Sequence, residues 1–401
     1  MAMQFLVRHK EAELIVPAKP TPQEIRPLSD IDDQKGHRFH LNVIMFYSYN
    51  QCMGEKNPVG LIEGPSNKIL VNCTAEGVVF REAIAEVRLD QLRDFMQPPF
   101  RYSKEFLVDA SGSTEILESP LMLIQVTRLS CGGLVLAIRI NHTISDAIGL
   151  VQFLNAVEKN SNSCTEPTTL DSPLNLVRKS FFFGAQETKA IKKYLPPNIP
   201  YASKFDLVTA FVWRSRTIAL QLDPEEIVTL TYAVNVRGKN KPKLPSGYYG
   251  NGFVSPAAVS KVNQLCNNSF VYALELVKKA KHQVTEGFIK SAIDYSVLHG
   301  KPGYSTLLKD WIVSDASRAG IDKVDFGWGK PIYGGTMDGG PTFNMTVYLQ
   351  FRNNQGDDGL VVPVCLPVAA MENFQKEMEK MIKGPMDECN KFWHPRIISM
   401  L

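Results

Sequence analysis

Two apolar runs near the middle of the chain predict neighbouring β-strands. Residues 121–129 and 134–140 are rich in β-branched and other apolar side chains, and Cys131-Gly132-Gly133 between them predicts a hairpin turn. The second run is almost continuously apolar, which is typical of a strand that is covered on both faces. We therefore expect residues 134–140 to lie centrally in their sheet.

An amphipathic helix is predicted directly after the second strand. Over residues 147–157 the apolar side chains recur at intervals of three and four, and Ser145 or Asp146 stands where it can cap the first turn. Further helices are predicted at 205–219, 272–281, 286–298 and 369–382, and further strands at 227–236, 344–351 and 359–366. In the last helix, the spacing of Met371, Phe374, Met378 and Met381 predicts a side that faces the core.

The order of these elements predicts an α/β protein in two parts. Between residues 158 and 175 the periodicity gives way to Asn, Ser, Thr and Pro, which is the composition of a linker. We predict an N-terminal domain over residues 1–157, a shortened linker over 158–175 and a C-terminal domain over 176–401. The length of 401 residues is sufficient for two domains.

Composition and charge narrow the classes of function. The chain is 44% hydrophobic and 21% charged, as in soluble globular proteins, and its net charge of +3 does not favour nucleic acid or an anionic membrane as a partner. Seven scattered cysteines without metal-binding spacing predict free thiols in a reducing compartment. We expect a cytoplasmic protein; the alternative is the peroxisome, because Ser399-Met400-Leu401 differs from the S-K-L signal only at its middle residue.

Three segments carry candidate chemistry. His142 and Asp146 lie where the central strand passes into the helix, and a histidine exchanges protons near neutral pH. Asp325-Phe-Gly-Trp-Gly329 combines an acid, two large aromatics and two glycines, which predicts a tight, rigid turn with a structural rather than a catalytic role. The basic cluster at 237–243 is either a solvated loop or a seat for a phosphorylated ligand.

The pairing of His142-x-x-x-Asp146 with Asp325-Phe-Gly-Trp-Gly329 resembles the two motifs of the plant BAHD acyltransferases. Segments such as Gly247-Tyr-Tyr-Gly-Asn251 resemble the alcohol acyltransferase branch, which includes benzyl alcohol O-benzoyltransferases, and the resemblance covers nearly the whole chain. It implies a chloramphenicol-acetyltransferase-like fold of two domains, each a mixed sheet flanked by helices, with a solvent tunnel between them. His142 would stand in the middle of that tunnel, with acyl-CoA entering from one face and the alcohol from the other.

The resemblance also implies the reaction and the role of each residue. His142 is expected to act as general base in a direct transfer of a benzoyl- or acetyl-type group from acyl-CoA, the co-substrate, to an alcohol, without a metal, a bound cofactor or a covalent enzyme intermediate. Asp146 is expected to turn away from His142 and to pair with Arg237, holding the loop. Asp325 is expected to support the site, and structural roles are expected for Gly327, Trp328 and Gly329.

The resemblance leads to two further expectations about partners. Lys239, Lys241 and Lys204 are expected to lie near the phosphates of CoA. The protein is expected to work as a monomer on acyl-CoA and a small alcohol, without nucleic acid or membrane.

Two stretches of the chain are shorter than the family pattern. Between Val59 and Glu63 the family has a helix and a strand, where this chain has only Gly60-Leu61-Ile62. After Val157 the family has a long proline-rich crossover. A truncated, weakly active or non-catalytic paralogue therefore stays open as an alternative to the transferase. A third possibility is an acyl-CoA thioesterase, in which His142 would activate water instead of an alcohol.

Overall fold

A computed structural model describes most of the chain. The described residues are 4–15, 24–48, 60–63, 69–73, 77–107, 119–157, 176–197, 202–238, 244–299, 303–326, 328–353, 355–383 and 397–398. Several sequence-based expectations fall outside these ranges: the shortened linker at 158–175, the segment that ends at Val59, the residues Lys239, Lys241 and Gly327, and the terminal tripeptide from Ser399.

The strands and helices are named here in chain order. The strands are β1 (Val7–His9), β2 (Glu13–Ile15), β3 (Glu24–Pro27), β4 (His40–Tyr47), β5 (Gly60–Glu63), β6 (Ile69–Cys73), β7 (Val78–Ala85), β8 (Met122–Leu129), β9 (Leu134–Asn141), β10 (Leu176–Phe183), β11 (Ile227–Tyr232), β12 (Val234–Asn235), β13 (Phe253–Val254), β14 (Ala257–Lys261), β15 (Trp311–Asp315), β16 (Tyr333–Thr336), β17 (Met345–Arg352), β18 (Asp358–Pro367) and β19 (Ile397–Ile398). The helices are α1 (Leu89–Leu92), α2 (Ser103–Phe106), α3 (Ala147–Val157), α4 (Ala185–Lys192), α5 (Lys204–Leu220), α6 (Val262–Asn267), α7 (Phe270–His282), α8 (Glu286–His299) and α9 (Val368–Lys383).

The first large sheet is mixed, and the loop with His142 and Asp146 follows one of its strands. Its strand order is β1-β7-β8-β9-β4-β16, with β2 also paired to β7; the β7–β8 pair is parallel and the other pairs are antiparallel. β9 lies between β8 and β4, so the predicted central position of residues 134–140 is confirmed. All eight residues of β9 are buried, as its continuous apolar pattern requires.

The second large sheet is also mixed, with the order β14-β11-β15-β17-β18-β10-β19. Helices α5, α7 and α9 pack against it around a core that includes Trp213, Leu274 and Phe374. The predicted core-facing side of α9 is confirmed at Met371 and Met378, which are buried. The described part of the chain therefore has the predicted α/β organisation, with mixed sheets flanked by helices.

Alternation along β4 builds the core on both faces of the first sheet. Ile44 and Phe46 join a cluster with the helical residue Phe106, while Val43 and Met45 join another with residues of α3. The first cluster also contains β17 residues of the second sheet, so the apolar core continues from one sheet to the other. The second cluster packs α3, and so the start of the loop before it, against the first sheet.

Two differences from the sequence-based expectation concern how strands are assigned to sheets. The strand predicted over 227–236 is two strands, because β11 belongs to the second large sheet whereas β12 pairs with β13 in a separate ribbon. β16 comes from the second half of the chain but pairs with β4 of the first sheet. The first sheet is thus completed by a distant segment, and the two-domain division of the chain stays a prediction.

Candidate active site

The candidate catalytic loop starts where β9 leaves its sheet. β9 pairs with β4 in antiparallel register, and the backbone N–H of His142 continues this pairing by donating to the Phe39 carbonyl at 2.9 Å. The Asn141 side-chain oxygen accepts hydrogen bonds from the backbone N–H and the hydroxyl of Thr143 at 3.1 and 2.8 Å. These contacts turn the chain sharply from the strand towards α3 and fix the position of His142.

The His142 imidazole has a defined tautomer. Its Nδ1 lies 3.0 Å from the Ser145 carbonyl oxygen, which only accepts hydrogen bonds, so Nδ1 carries the proton and Nε2 keeps a free lone pair. Burial lowers the pKa of His142, an effect that exceeds the opposing influence of the carboxylates of Asp146 and Asp32. The ring is therefore neutral near pH 7 and can accept a proton at Nε2.

Aromatic rings surround the His142 imidazole. His37 stacks on it with ring centroids 5.3 Å apart and planes inclined by 20°, and Phe39 meets it edge-to-face at 5.0 Å. Phe253, the first residue of β13, stands 6.2 Å from the same ring. These neighbours restrict the rotation of the imidazole and keep it in an environment of low polarity.

Asp146 does not act on His142 through a hydrogen bond. Its Oδ1 accepts from the backbone N–H of Gly149 at 3.0 Å and so caps α3, and its Oδ2 accepts from the backbone N–H of Gly252 at 3.0 Å. Arg237 donates to both carboxylate oxygens, at 2.7 and 3.2 Å. The structure thus brings Asp146 and Arg237 together as the sequence predicts, and the carboxylate ties the loop to the 235–252 region.

A second acid holds the backbone of the loop. Asp32 Oδ1 accepts from the backbone and side-chain N–H groups of Asn251, at 2.6 and 2.8 Å. The same Asn251 amide donates to the His142 carbonyl at 2.7 Å. Sequence reasoning did not single out Asp32 or Asn251 for any role, although Asn251 ends a segment that carries the family resemblance.

A cavity of about 530 Å³ opens in front of His142. Its lining comes from both large sheets, from the start of α3 and from the start of α5. Four cationic side chains border it, namely Lys204, Arg237, Lys281 and Arg318. A cavity that joins a histidine to a basic rim can accept a ligand with one reactive end and one anionic end.

Lys204 and Arg318 are the two cations in this rim for which the described residues form no ion pair. Arg237 is paired with Asp146, and Lys281 donates to Asp206 at 2.8 Å. Lys204 is the first residue of α5 and is half-buried, and burial lowers its pKa despite the neighbouring carboxylates of Glu187, Asp315 and Asp358. A bound anion would restore a charge partner that this ammonium group lacks.

The turn around Asp325 lies against the scaffold and not in the cavity. The Asp325 carboxylate accepts from the Gly329 backbone N–H at 2.9 Å, which closes the turn. Trp328 is buried, stacks edge-to-face on Tyr47 at 5.2 Å and shares a core cluster with α3. None of Asp325, Trp328 and Gly329 lines the cavity in front of His142. This turn therefore packs in the same core cluster as α3 and does not line the cavity.

No group of three or more His, Cys, Asp or Glu side chains in the described ranges could hold a metal ion. None of the described helices is both long and apolar enough to cross a membrane.

Comparison with known proteins places the chain among transferases. A family model described as "Transferase family" matches residues 59–177 and 184–381. Benzyl alcohol O-benzoyltransferase of Petunia hybrida is 45% identical over 442 aligned positions, which cover 96% of each chain. Alcohol acyl transferase 1 allele GSa of Malus domestica is 41% identical over 454 positions, or 98% of each chain.

Two crystal structures share the fold at low sequence identity. Vinorine synthase superposes with a TM-score of 0.70 at 20% identity, covering 92% of this chain and 96% of its own. TRI101 of F. sporotrichioides, complexed with coenzyme A and T-2, gives a TM-score of 0.66 at 17% identity and covers 89% of this chain and 98% of its own. The predicted fold class is confirmed.

Proposed function

The chain belongs to the Transferase family, the BAHD acyltransferases, and on that premise we propose that it moves an acyl group from acyl-CoA to a small alcohol. The observation that carries this proposal is the free Nε2 lone pair of His142, held in a defined tautomer beside a cavity with a basic rim. His142 is the proposed catalytic residue, and Asp146 and Arg237 are proposed to hold its loop.

The proposed reaction is a direct transfer. His142 Nε2 removes the hydroxyl proton as the alcohol oxygen attacks the thioester carbon, so a C–O bond forms and a tetrahedral oxyanion appears. The oxyanion collapses, the C–S bond breaks and the CoA thiolate leaves with the electron pair. The imidazolium returns its proton to the thiolate, which regenerates neutral His142. General-base assistance of this kind accelerates reactions by roughly 10²- to 10⁴-fold.

The proposed substrates follow the names of the relatives. Those from Petunia hybrida and Nicotiana tabacum are benzyl alcohol O-benzoyltransferases, and those from Malus domestica and Actinidia are alcohol acyltransferases. We therefore propose a benzoyl- or acetyl-type donor and, as acceptor, benzyl alcohol or a small aliphatic alcohol.

Lys204 is proposed to contact a phosphate group of CoA. The ammonium group is half-buried at the cavity rim, next to the N-terminus of a 17-residue helix that also favours anions. Lys204→Ala should raise the KM for acyl-CoA several-fold with little change in kcat, while Lys290→Ala, on the exposed face of α8, should change neither. If the contact is with the 3′-phosphate, a dephospho-CoA thioester will show no difference between wild type and Lys204→Ala.

The decisive experiment compares thiol release with and without the acceptor. The purified chain is incubated with benzoyl-CoA or acetyl-CoA, in the presence and absence of benzyl alcohol. Release that requires the alcohol, with ester formed, supports the transferase. Release without alcohol indicates a thioesterase, and no release from a folded protein indicates a non-catalytic paralogue.

His142→Gln tests the catalytic residue itself. Glutamine retains a polar side chain but takes up no proton near neutral pH, so ester formation should fall by about 10²- to 10⁴-fold. The thermal unfolding transition should stay cooperative and close to that of wild type. Turnover retained in a folded His142→Gln protein would refute the general-base assignment.

We further propose a monomer in the cytoplasm, from the family resemblance and from the sequence. Light scattering of the purified chain and imaging of a fusion that leaves the C-terminus free test these two points. A punctate peroxisomal pattern that disappears when Ser399 to Leu401 are removed would favour the alternative.

A further inference from the structure

His37 is a buried histidine that stacks on His142, the proposed catalytic residue. It lies in a short 3₁₀ helix, Lys35–His37, and only 1% of its surface is exposed. Both ring nitrogens are buried, and neither has a hydrogen-bond partner of good geometry among the described residues, although the backbone groups of Ile31 and Asp32 lie close. Its burial therefore carries a desolvation cost that leucine or phenylalanine would not.

The contacts of His37 are with rings at the active site. Its face stacks on His142 at 5.3 Å, and it meets Phe253 edge-to-face at 5.1 Å and Tyr304 at 6.1 Å. A Cβ added at the preceding Gly36 would come within 3.0 Å of the Tyr304 ring, so the segment carrying His37 is closely packed. His37 is not among the residues that line the cavity in front of His142, so its contact with the site is through the His142 ring.

We propose that His37 is a positioning residue for proton transfer at His142: its neutral imidazole fixes the plane of the His142 ring and stabilises the imidazolium formed when the alcohol is deprotonated. The inference rests on the proposed transferase function and adds to it a residue outside both family motifs. The inclination of 20° is that of an offset stack, in which the π face of a neutral ring attracts an adjacent cation.

Burial keeps His37 neutral throughout the cycle. Burial and the adjacent His142 lower the pKa of His37 to about 3. The charged groups near the two rings include Asp32 and the Asp146–Arg237 pair. The His37 segment itself carries Lys35 and the Asp33–Arg38 ion pair, and Tyr304 is un-ionised because burial raises its pKa to about 12. In the proposed cycle, the proton taken from the alcohol therefore resides on His142 and not on His37.

Two substitutions distinguish the effect of the aromatic face of His37 from the effect of its ring nitrogens. His37→Phe keeps an aromatic face without polar atoms, and His37→Leu removes the face. We expect His37→Leu to lower kcat by roughly 3- to 10-fold with the KM for acyl-CoA unchanged, and His37→Phe to stay within about 3-fold of wild type. Both variants should stay folded at pH 7, because each places an apolar side chain in a buried position and removes two nitrogens that have no hydrogen-bond partner of good geometry.

A direct titration of His142 keeps the test independent of turnover. The pKa of His142, followed by histidine ring NMR with His142→Gln for assignment, should fall in His37→Leu and stay near wild type in His37→Phe. His299→Leu is the matched control, since His299 also stacks on an aromatic ring, Tyr295 at 4.6 Å, but on the exposed α8 surface. It should change neither kcat nor the His142 titration.

The outcomes are distinct for the two proposals. A His37→Leu protein with wild-type kcat and an unchanged His142 titration would overturn the role of His37. If the wild-type chain makes no ester from any acyl-CoA, the proposed function fails, and the His142 titration in His37→Leu still decides whether the stack stabilises the imidazolium.

Discussion

At the scale of single residues, the electrostatic environment of His142 leads to a pH dependence. Burial lowers the pKa of this imidazole below its ordinary value of 6.5. The reactive form is the neutral one, so a lowered pKa extends the active range towards acid. The acid limb of kcat/KM should therefore have its midpoint below pH 6.5, with full activity at pH 7. A midpoint above pH 7, measured with benzoyl-CoA and benzyl alcohol, would contradict this.

Removal of the Asp146 carboxylate should lower the stability of the protein. Asp146→Ala removes hydrogen bonds to the Gly149 and Gly252 backbones and leaves the Arg237 guanidinium, whose side chain is 18% exposed, without its anion. The free energy of unfolding should fall by about 2–4 kcal/mol, and kcat should fall with it as the loop loosens. Denaturant unfolding and kinetics on the same protein measure both quantities.

A matched control for Asp146→Ala is Asp90→Ala. Asp90 forms an ion pair with Arg88 in which both side chains are more than half exposed, so its loss should leave stability and kcat nearly unchanged. An Asp146→Ala protein that is fully stable but inactive would instead favour a direct catalytic role for this carboxylate.

The sequence identifies the site residues that lie in local motifs, but not those that long-range strand pairing brings to the site. His142, Asp146 and Arg237 stand in recognisable motifs, so their positions follow from the chain itself. His37 and Asp32 reach His142 only because β4 pairs with β9 and brings residues about a hundred positions away in the chain alongside. Long-range pairing of this kind leaves no local pattern, and a buried polar side chain is visible only in the fold.

At the scale of elements, the close approach of α3 to the 245–252 segment holds the loop in place. A Cβ on Gly149 would lie 1.8 Å from the Tyr249 carbonyl oxygen, far inside van der Waals contact. Gly149→Ala should therefore push this segment away from α3, and with it the Asn251 amide that holds the His142 carbonyl. We expect a lower melting temperature and a lower kcat, although alanine favours helix more than glycine does.

Gly287 provides the matched control for Gly149→Ala. It also lies in the first turn of a helix, α8, where the nearest atom to an added Cβ is 3.8 Å away. Gly287→Ala should be neutral or stabilising by up to about 1 kcal/mol, with kcat unchanged. Equal effects of the two substitutions on melting temperature would show that the close approach at Gly149 does not restrain the loop.

Elements with strong local patterns are the ones that the sequence predicts well. The predicted limits of α3 agree with the structure because both its apolar spacing and its Asp146 cap are local features. β16, by contrast, consists of Tyr-Gly-Gly-Thr, has no alternating pattern and forms only because β4 offers it an edge. Short strands of this type depend on a distant partner, so no element was predicted there.

At the scale of the whole molecule, the chain is shorter than the relatives that it matches. The alignment with the Petunia hybrida relative has 442 positions, whereas 96% of 401 residues is about 385, so about 57 positions have no counterpart in this chain. Leu14 and Ile84 of the first sheet, and Leu6 just before β1, are each more than half exposed. Large apolar side chains that stay exposed contribute less to stability than covered ones.

The shorter chain should therefore gain stability from the missing segments. Inserting the Petunia hybrida residues that face the alignment gaps should raise the melting temperature, because covering even 100 Å² of apolar surface contributes about 2.5 kcal/mol. The matched control inserts Gly-Ser segments of equal lengths at the same points, which add chain entropy without apolar contacts. If both inserted proteins melt at or below the wild-type temperature, the short chain is self-sufficient and its exposed apolar side chains do not mark missing contacts.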